Sequence, residues 1–332
     1  MARPASKPVC LLTNPIDPVG HEILEPHFDV VCAPDAGAET LKKLSGDAVA
    51  MLVRSQLPPD ISEHAPKLLS CIRHGAGLDL IPVDAATAKG IVVANVPAVN
   101  ANAVAEYAVT QMLLSARPLH RVDRLHRDRD WGTARALSDM ATELGGRTVG
   151  VVGVGAIGTR VAEICHFGFR MKAIGHQRRL DRLPAFVAPA ALDDLFRQAD
   201  FVVLACPLTP ETRGLPSRAR IFSMKQDATL VNVSRGPVVD EAAITEALAQ
   251  GRIRAGLDVF EKQPLPRDSK LLGLDSVVLT THLAGMTQDS VRAMSRISCE
   301  DTVRVLTGEK PVHFCNPDAW PAHLARRKAL GR

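Results

Sequence analysis

The sequence predicts an α/β protein built from two parallel-sheet units. Three observations carry this. At 332 residues the chain is long for a single core, so two domains are the default. Short, nearly continuous apolar runs alternate with helical patterns from residue 9 to 96 and again from 148 onward. Strands that are apolar on both faces belong to parallel sheets covered by helices. The second series also opens on three glycines in the spacing GxGxxG.

In the first series the strand runs are "VCLLT", "FDVVCA", "AVAMLVR", "LLSCIRH" and "GIVVANV", giving a unit of five strands. In "NANAVAEYAVTQMLLSARP" the period changes. Val104, Ala108, Val109, Met112 and Leu113 fall on one helical stripe, with Asn100 or Asn102 as cap and Pro118 at the end. Lying between the two series, this helix is a candidate hinge. The second series offers six strands: "TVGVVGVG", "MKAIGH", "FVVLAC", "TLVNVS", "AGLDVF" and "SVVLTTH". Helical segments separate most of them, such as "DEAAITEALAQ" with Gly251 as C-cap. An amphipathic segment, "TQDSVRAMSRISCEDTVRVL", follows the last strand.

Composition narrows the function classes. A net charge of +4 is too small to argue for nucleic acid or a membrane surface. The stretch "ARPLHRVDRLHRDRDW" holds Arg117, Arg121, Arg124, Arg127 and Arg129. Asp123, Asp128 and Asp130 are interleaved, which reads as a solvated arm. Seven cysteines without a CxxC or a Cys/His cluster suit reduced thiols in a cytoplasm and offer no metal site. The start "MARPASKPVCLLTNP" has no continuous apolar core, so no signal peptide is expected, and no apolar run is long enough to span a bilayer.

The glycine motif is informative because of its context. "VVGVGAIGTRVAEICHFG" places Gly153, Gly155 and Gly158 between an apolar strand and a helix with the stripe Ile157, Val161, Ile164 and Cys165. Gly153 permits the tight turn, Gly155 lets backbone approach a pyrophosphate, and Gly158 allows close helix packing. The helix N-terminus then turns its N–H groups and positive dipole end to the phosphates. About twenty residues on, an NAD site carries an acid for the ribose 2′-hydroxyl. Here Gln177 stands in that place, followed by Arg178 and Arg179. Guanidinium groups without a repelling carboxylate suit a 2′-phosphate, so NADP is expected over NAD.

The ordered set "VNVSRGPVVDEAAITEAL", "GLDVFEKQPLP" and "LTTHLAG" after GxGxxG resembles the D-isomer-specific 2-hydroxyacid dehydrogenase family, and "VPAVNANAVAEYAV" and "CPLTPETRGL" fit it too. The resemblance spans nearly the whole chain. It implies two Rossmann-like lobes with an active site in the cleft between them. One is a discontinuous, flavodoxin-like substrate lobe (residues 1–103 with 287–332); the other is a doubly wound coenzyme lobe (104–286). It implies a homodimer acting on a small 2-keto or 2-hydroxy acid of the hydroxypyruvate or glyoxylate kind. Trp131 falls in the arm that members extend towards a partner subunit.

Residue by residue, the resemblance makes Arg235 the group that grips the substrate carboxylate and His282 the general acid/base. Asp258 matches a contact to the nicotinamide carboxamide. Arg54, Ser55 and the backbone of Gly75, Ala76 and Gly77 match carboxylate-binding elements. Coenzyme contacts extend to Ala156, Ile157, Cys206, Pro207, Thr212, Val233, Ser234, Ala284 and Gly285, beside His282 itself. Taken singly, Arg235 would read as a surface cation and His282 as a core histidine; their strand-end positions beside a nucleotide loop reverse that. Arg54, Gln56 and His74 are expected to form a polar mouth.

One residue departs from the pattern. Members usually carry glutamate directly before the proline after "DVF", paired with the histidine; this chain has Gln263. An amide can accept the ring N–H and orient it, but supplies no charge to favour imidazolium. Reduction is therefore expected to slow as pH rises past neutrality. Glu261 is the nearest acid, on the other side of an alternating strand end. Two rivals follow from the departure. Formate dehydrogenases of the same superfamily place glutamine here, since hydride leaves formate without proton transfer. Co-repressor members use the fold to sense NAD(P) and recruit partners.

Overall fold

The computed structural model describes residues 7–128 and 130–331; Arg129 and the first six residues, on which part of the arm and leader expectations rest, lie outside the described residues. The chain divides into two compact units, Met1–Asn100 with Met286–Arg332, and Ala101–Gly285. The boundaries expected at 103/104 and 286/287 thus fall at 100/101 and 285/286.

In the discontinuous unit five parallel strands, β1 (Val9–Leu12), β2 (Asp29–Cys32), β3 (Ala48–Val53), β4 (Ser70–Arg73) and β5 (Val92–Ala94), stand in the order β2-β1-β3-β4-β5. That is the flavodoxin-like order. All six residues of β3 are buried, because it lies inside a sheet covered on both faces. One side packs Met51 and Val53 with Leu41, Leu57 and Ile61; the other packs Ala50 and Leu52 with Leu24, Phe28 and Cys299. Cys299 comes from the 20-residue helix Gln288–Thr307, which is how the end of the chain completes this unit.

The second unit holds β6 (Thr148–Val152), β7 (Lys172–His176), β8 (Ala188–Pro189), β9 (Phe201–Leu204), β10 (Thr229–Asn232), β11 (Arg254–Leu257) and β12 (Val277–Leu279). All are parallel, in the order β12-β11-β10-β9-β6-β7-β8. Counted within the unit this is the doubly wound order 3-2-1-4-5-6 with a seventh strand added. Six strands were expected. The seventh is β8, only two residues long and ending in Pro189, which leaves no apolar run to read. Side chains alternate across the sheet: Val202, Leu204 and Leu230 pack with Leu195, Phe196 and Ile244, while Val203 and Val231 pack with Val104, Met112, Val161 and Cys165.

The helix Ala101–Ala116 buries Val104, Ala108, Val109 and Met112 as its stripe predicts, but Leu113 is half-exposed. Asn102 lies inside the helix and donates to Glu106 rather than capping it. The helix also buries Gln111, and it carries Tyr107 on its path across β10, β11 and β12. In the arm, helices Leu119–Arg127 and Trp131–Ala136 leave Trp131 exposed. Arg121 pairs with Asp275 at 3.2 Å and Arg127 with Asp123 at 2.8 Å. No helix of the described residues is long and apolar enough to cross a membrane.

Candidate active site

Every strand of a parallel sheet ends on the same edge, and the second unit hangs its chemical groups there. The switch point, where strand order reverses, lies between β6 and β9, and open α/β sheets bind ligands at that crevice. A cavity of about 830 Å³ opens at this point, lined by Gly153, Gly155, Gln177, Arg178, Cys206, Pro207 and Thr212 among others. Gly153 turns at φ 89°, and a Cβ there would meet the Cys206 backbone at 2.6 Å. At Gly158 a Cβ would lie 2.1 Å from the Gly153 carbonyl oxygen. Around Gly155, in contrast, the Cβ position is open space. It is the N-cap of the helix Ala156–Glu163, and no side chain caps that helix. A cradle of bare backbone with uncommitted room above it fits a dinucleotide pyrophosphate.

Beyond Gln177 the cavity wall carries Arg178, Arg179, Arg182 and Arg220. Arg179 pairs with Asp181 at 3.2 Å and Arg220 with Asp193 at 2.6 Å. Gln177 donates its amide to the Arg179 carbonyl oxygen at 2.8 Å, which holds the turn. Arg182 was not singled out from sequence. Its signal was present in "RRLDR", three cations after the strand, but only the cavity shows that they share one wall.

Three strand spacings from β6 is the end of β11, and a fourth reaches β12, roughly 19 Å along the edge at ~4.8 Å per strand. Here stand Arg235, Asp258 and His282. Arg235 follows β10 in a turn organised by buried Asn232. The Asn232 Oδ1 accepts from the Ser234 backbone N–H (3.0 Å) and hydroxyl (2.7 Å), and its Nδ2 donates to the Arg235 carbonyl oxygen (3.0 Å). The half-buried Arg235 guanidinium donates through Nη1 to the Ser234 carbonyl oxygen at 2.7 Å.

Asp258 does for β12 what Asn232 does for β10. It is 1% exposed. One carboxylate oxygen accepts from the Thr280 hydroxyl (2.7 Å) and the Leu283 N–H (2.8 Å), the other from the Ala284 N–H (2.9 Å), and its carbonyl oxygen accepts from the His282 N–H (2.8 Å). Both carboxylate oxygens of Asp258, which the family resemblance matches to a carboxamide contact, also shape the histidine's loop. That loop needs shaping, since His282 sits at φ 58°, a left-handed conformation costing a non-glycine residue about 1–3 kcal/mol.

Gln263 answers to His282: its Oε1 lies 3.1 Å from the ring Nδ1. With an amide oxygen as acceptor, Nδ1 carries the hydrogen and Nε2 is the ring nitrogen turned away from Gln263. The expected strand end around Glu261 is absent; β11 stops at Leu257 and residues 258–264 form no strand. Glu261 donates its backbone N–H to Glu241 Oε2 at 2.8 Å, and its side chain is exposed. The strip is pinned by Gly236, where a Cβ would lie 1.9 Å from the Phe260 carbonyl carbon.

In the discontinuous unit, Thr13 Oγ1 accepts from the backbone N–H of Arg54 (2.8 Å) and Ser55 (3.2 Å), fixing the end of β3. The Arg54 guanidinium donates to the Pro15 carbonyl oxygen, and partial burial lowers its pKa. All three carbonyl oxygens of the Gly75–Gly77 loop are occupied, by Val96 N–H, Asn95 Nδ2 and Arg73 Nε, and the Gly75 N–H donates to the Arg73 carbonyl oxygen at 2.9 Å, so the amides of Ala76 and Gly77 are the groups suited to an anion. His74 is not at a mouth, as sequence suggested. It is 3% exposed, bonded through Nε2 to Ser295 Oγ at 2.8 Å, and burial together with nearby Arg54 pushes its pKa down to about 4. Among the described residues no group of three or more His, Cys, Asp or Glu is arranged to hold a metal.

Fold and site together define a dinucleotide-dependent oxidoreductase of the two-lobed kind. The model of the D-isomer-specific 2-hydroxyacid dehydrogenase NAD-binding domain matches residues 109–284. The chain is 34% identical over 321 residues to a glyoxylate reductase of Korarchaeum cryptofilum, covering 94% of this chain and 97% of that one. It is 37% identical over 316 residues to a D-3-phosphoglycerate dehydrogenase of Methanocaldococcus jannaschii, 92% of this chain but only 59% of the relative's length. Among solved structures, an NADPH-dependent glyoxylate/hydroxypyruvate reductase from Sinorhizobium meliloti, in complex with NADP and malonate, superposes with a TM-score of 0.82 at 28% identity, covering 95% and 98% of the two chains. The chain belongs to the D-isomer-specific 2-hydroxyacid dehydrogenase family. It is an NAD(P)-dependent oxidoreductase acting on the CH–OH group of its donors.

Proposed function

We propose that the protein reduces a small 2-keto acid, of the glyoxylate or hydroxypyruvate class, with NADPH. The observation that carries this is the common sheet edge holding a bare glycine cradle, a cluster of arginines beside Gln177, and the Arg235 and His282 turns. Bound nicotinamide supplies the hydride. Arg235 grips the substrate carboxylate with its fork and polarises the adjacent carbonyl. His282, oriented by Gln263, gives the Nε2 proton to the keto oxygen as charge develops there. Arg54, Ser55 and the backbone of Gly75, Ala76 and Gly77 contribute further carboxylate contacts. Gln177, Arg178 and Arg179 receive the 2′-phosphate, Arg182 adding a further cation. The arm, with exposed Leu119 and Trp131, joins two copies into a homodimer.

A panel of keto acids with NADPH and NADH side by side tests the proposal. Losing one charge-assisted contact to the 2′-phosphate weakens binding by about tenfold or more, so KM for NADH is expected to exceed that for NADPH by at least that factor. Equal KM values overturn the coenzyme assignment. One observation favours a second reading: the Gln263–His282 pair supplies orientation without charge, which suffices for formate oxidation. Formate turnover without keto-acid turnover would establish it. Coenzyme binding with no turnover across the panel would instead indicate an NAD(P) sensor of the co-repressor kind.

A further inference from the structure

We propose that Tyr107, acting through Thr280 and Asp258, is a positioning residue for His282: a one-way chain of hydrogen bonds from the helix Ala101–Ala116 holds the histidine's loop in its left-handed shape. The proposal rests on reading His282 as the proton-transfer group.

The direction of the chain follows from counting hydrogens. A carboxylate only accepts, so the single Thr280 hydroxyl hydrogen goes to Asp258 Oδ1. The Thr280 oxygen must then accept from Tyr107, with which it shares a short contact. That uses the Tyr107 hydrogen, so the phenol oxygen in turn accepts, from Gln111 Nε2 at 2.7 Å. Gln111 is thereby forced to present its nitrogen, and its Oε1 is left buried with no hydrogen-bond partner, beside Gly256. An amide flip would satisfy that oxygen only by taking the Tyr107 hydrogen and breaking the link to Thr280. A buried orphan acceptor retained next to a fully satisfied chain is what a directional arrangement requires. Gly256 faces Gln111 with no side chain, which makes room for the amide. At its far end the chain meets a residue in a strained backbone state, fixed by three N–H bonds to Asp258. Left-handed residues persist where the surroundings over-determine them. Burial raises the Tyr107 pKa to about 12, so the phenol keeps the hydrogen it must donate across the working range.

Four variants test the chain: Tyr107→Phe, Thr280→Val, Thr280→Ser and the double Tyr107→Phe/Thr280→Val. Misplacing an acid/base by a fraction of an ångström costs roughly 10- to 100-fold in rate. Tyr107→Phe and Thr280→Val are expected to lower kcat by that order while the Kd for NADPH, read by fluorescence, stays within about twofold. Thr280→Ser, which keeps the hydroxyl, should turn over like the parent. Because both changes cut one chain, the double variant should be no slower than Thr280→Val alone. Faster amide exchange at Leu283 and Ala284 in Tyr107→Phe is the matching structural readout. The idea is overturned by an unchanged kcat, by additive losses in the double variant, or by parallel loss of kcat and NADPH binding. His282→Asn separates the two levels: if it still reduces keto acids, the role of His282 is wrong. If it is inactive while Tyr107→Phe and Thr280→Val are normal, only the chain is wrong.

Discussion

His74 should make the discontinuous unit acid-sensitive by an amount that can be worked out. The ring is buried between the end of β4 and the helix Gln288–Thr307, and its pKa of about 4 lies well below the roughly 6.5 of an exposed imidazole. A depressed folded value means that the unfolded chain binds the extra proton more readily. The stabilisation is therefore present above about pH 6.5 and is lost as pH falls from there towards 4. Linkage gives a loss, relative to pH 7, of about 1 kcal/mol at pH 5.5 and roughly 2.5 kcal/mol at pH 4.5. Burial also pushes the pKa of His323 down in this unit, so the readout is a difference: His74→Asn against the parent. Trp320 packs on Phe314 and His323 inside this unit, and in a Trp131→Phe background its fluorescence follows urea unfolding of that unit. The gap in unfolding free energy between the two proteins should narrow by the stated amounts as pH falls. A gap that stays constant from pH 7 to 4.5 would refute the claim that His74 is held neutral by burial.

Two further outcomes follow from the site. Gln263→Glu places a carboxylate beside the His282 ring, favours imidazolium, and should move the alkaline fall of keto-acid reduction to higher pH, by about one unit or more; superimposable pH–kcat profiles would contradict it. Gly236→Ala drives a Cβ into the Phe260 backbone, which has no soft atom to give way. Overpacking costs of about 1–3 kcal/mol or more should appear as lowered thermal stability, together with a loss of kcat/KM, in calorimetry and steady-state assays.

Most of the fold was legible because parallel strands buried on both faces must read as unbroken apolar runs, and these did. Where the reading slipped, a local pattern was outvoted by a distant contact. β8 has no pattern, being held by two residues of pairing to β7. "AGLDVF" looks like a strand through Phe260, yet Asp258 ends it by turning inward to bind the loop after β12. His74 reads as polar and hence exposed; its partner Ser295 lies 221 positions away. Tyr107 looks like one more position of a core helix, because Thr280 is 173 residues on. Arg235, His282 and Gln263 were visible as motif; the Asn232, Asp258 and Thr280 contacts that shape the turns around them were not.

The seven-stranded sheet also ends in a way that matters for handling the protein at high concentration. Its two outermost strands are three and two residues long, and the shorter closes on Pro189, which has no N–H to offer. An intruding strand from another molecule would find almost no ladder to extend at either flank. A doubly wound core this rich in β-branched residues is thereby kept from recruiting its neighbours edge to edge.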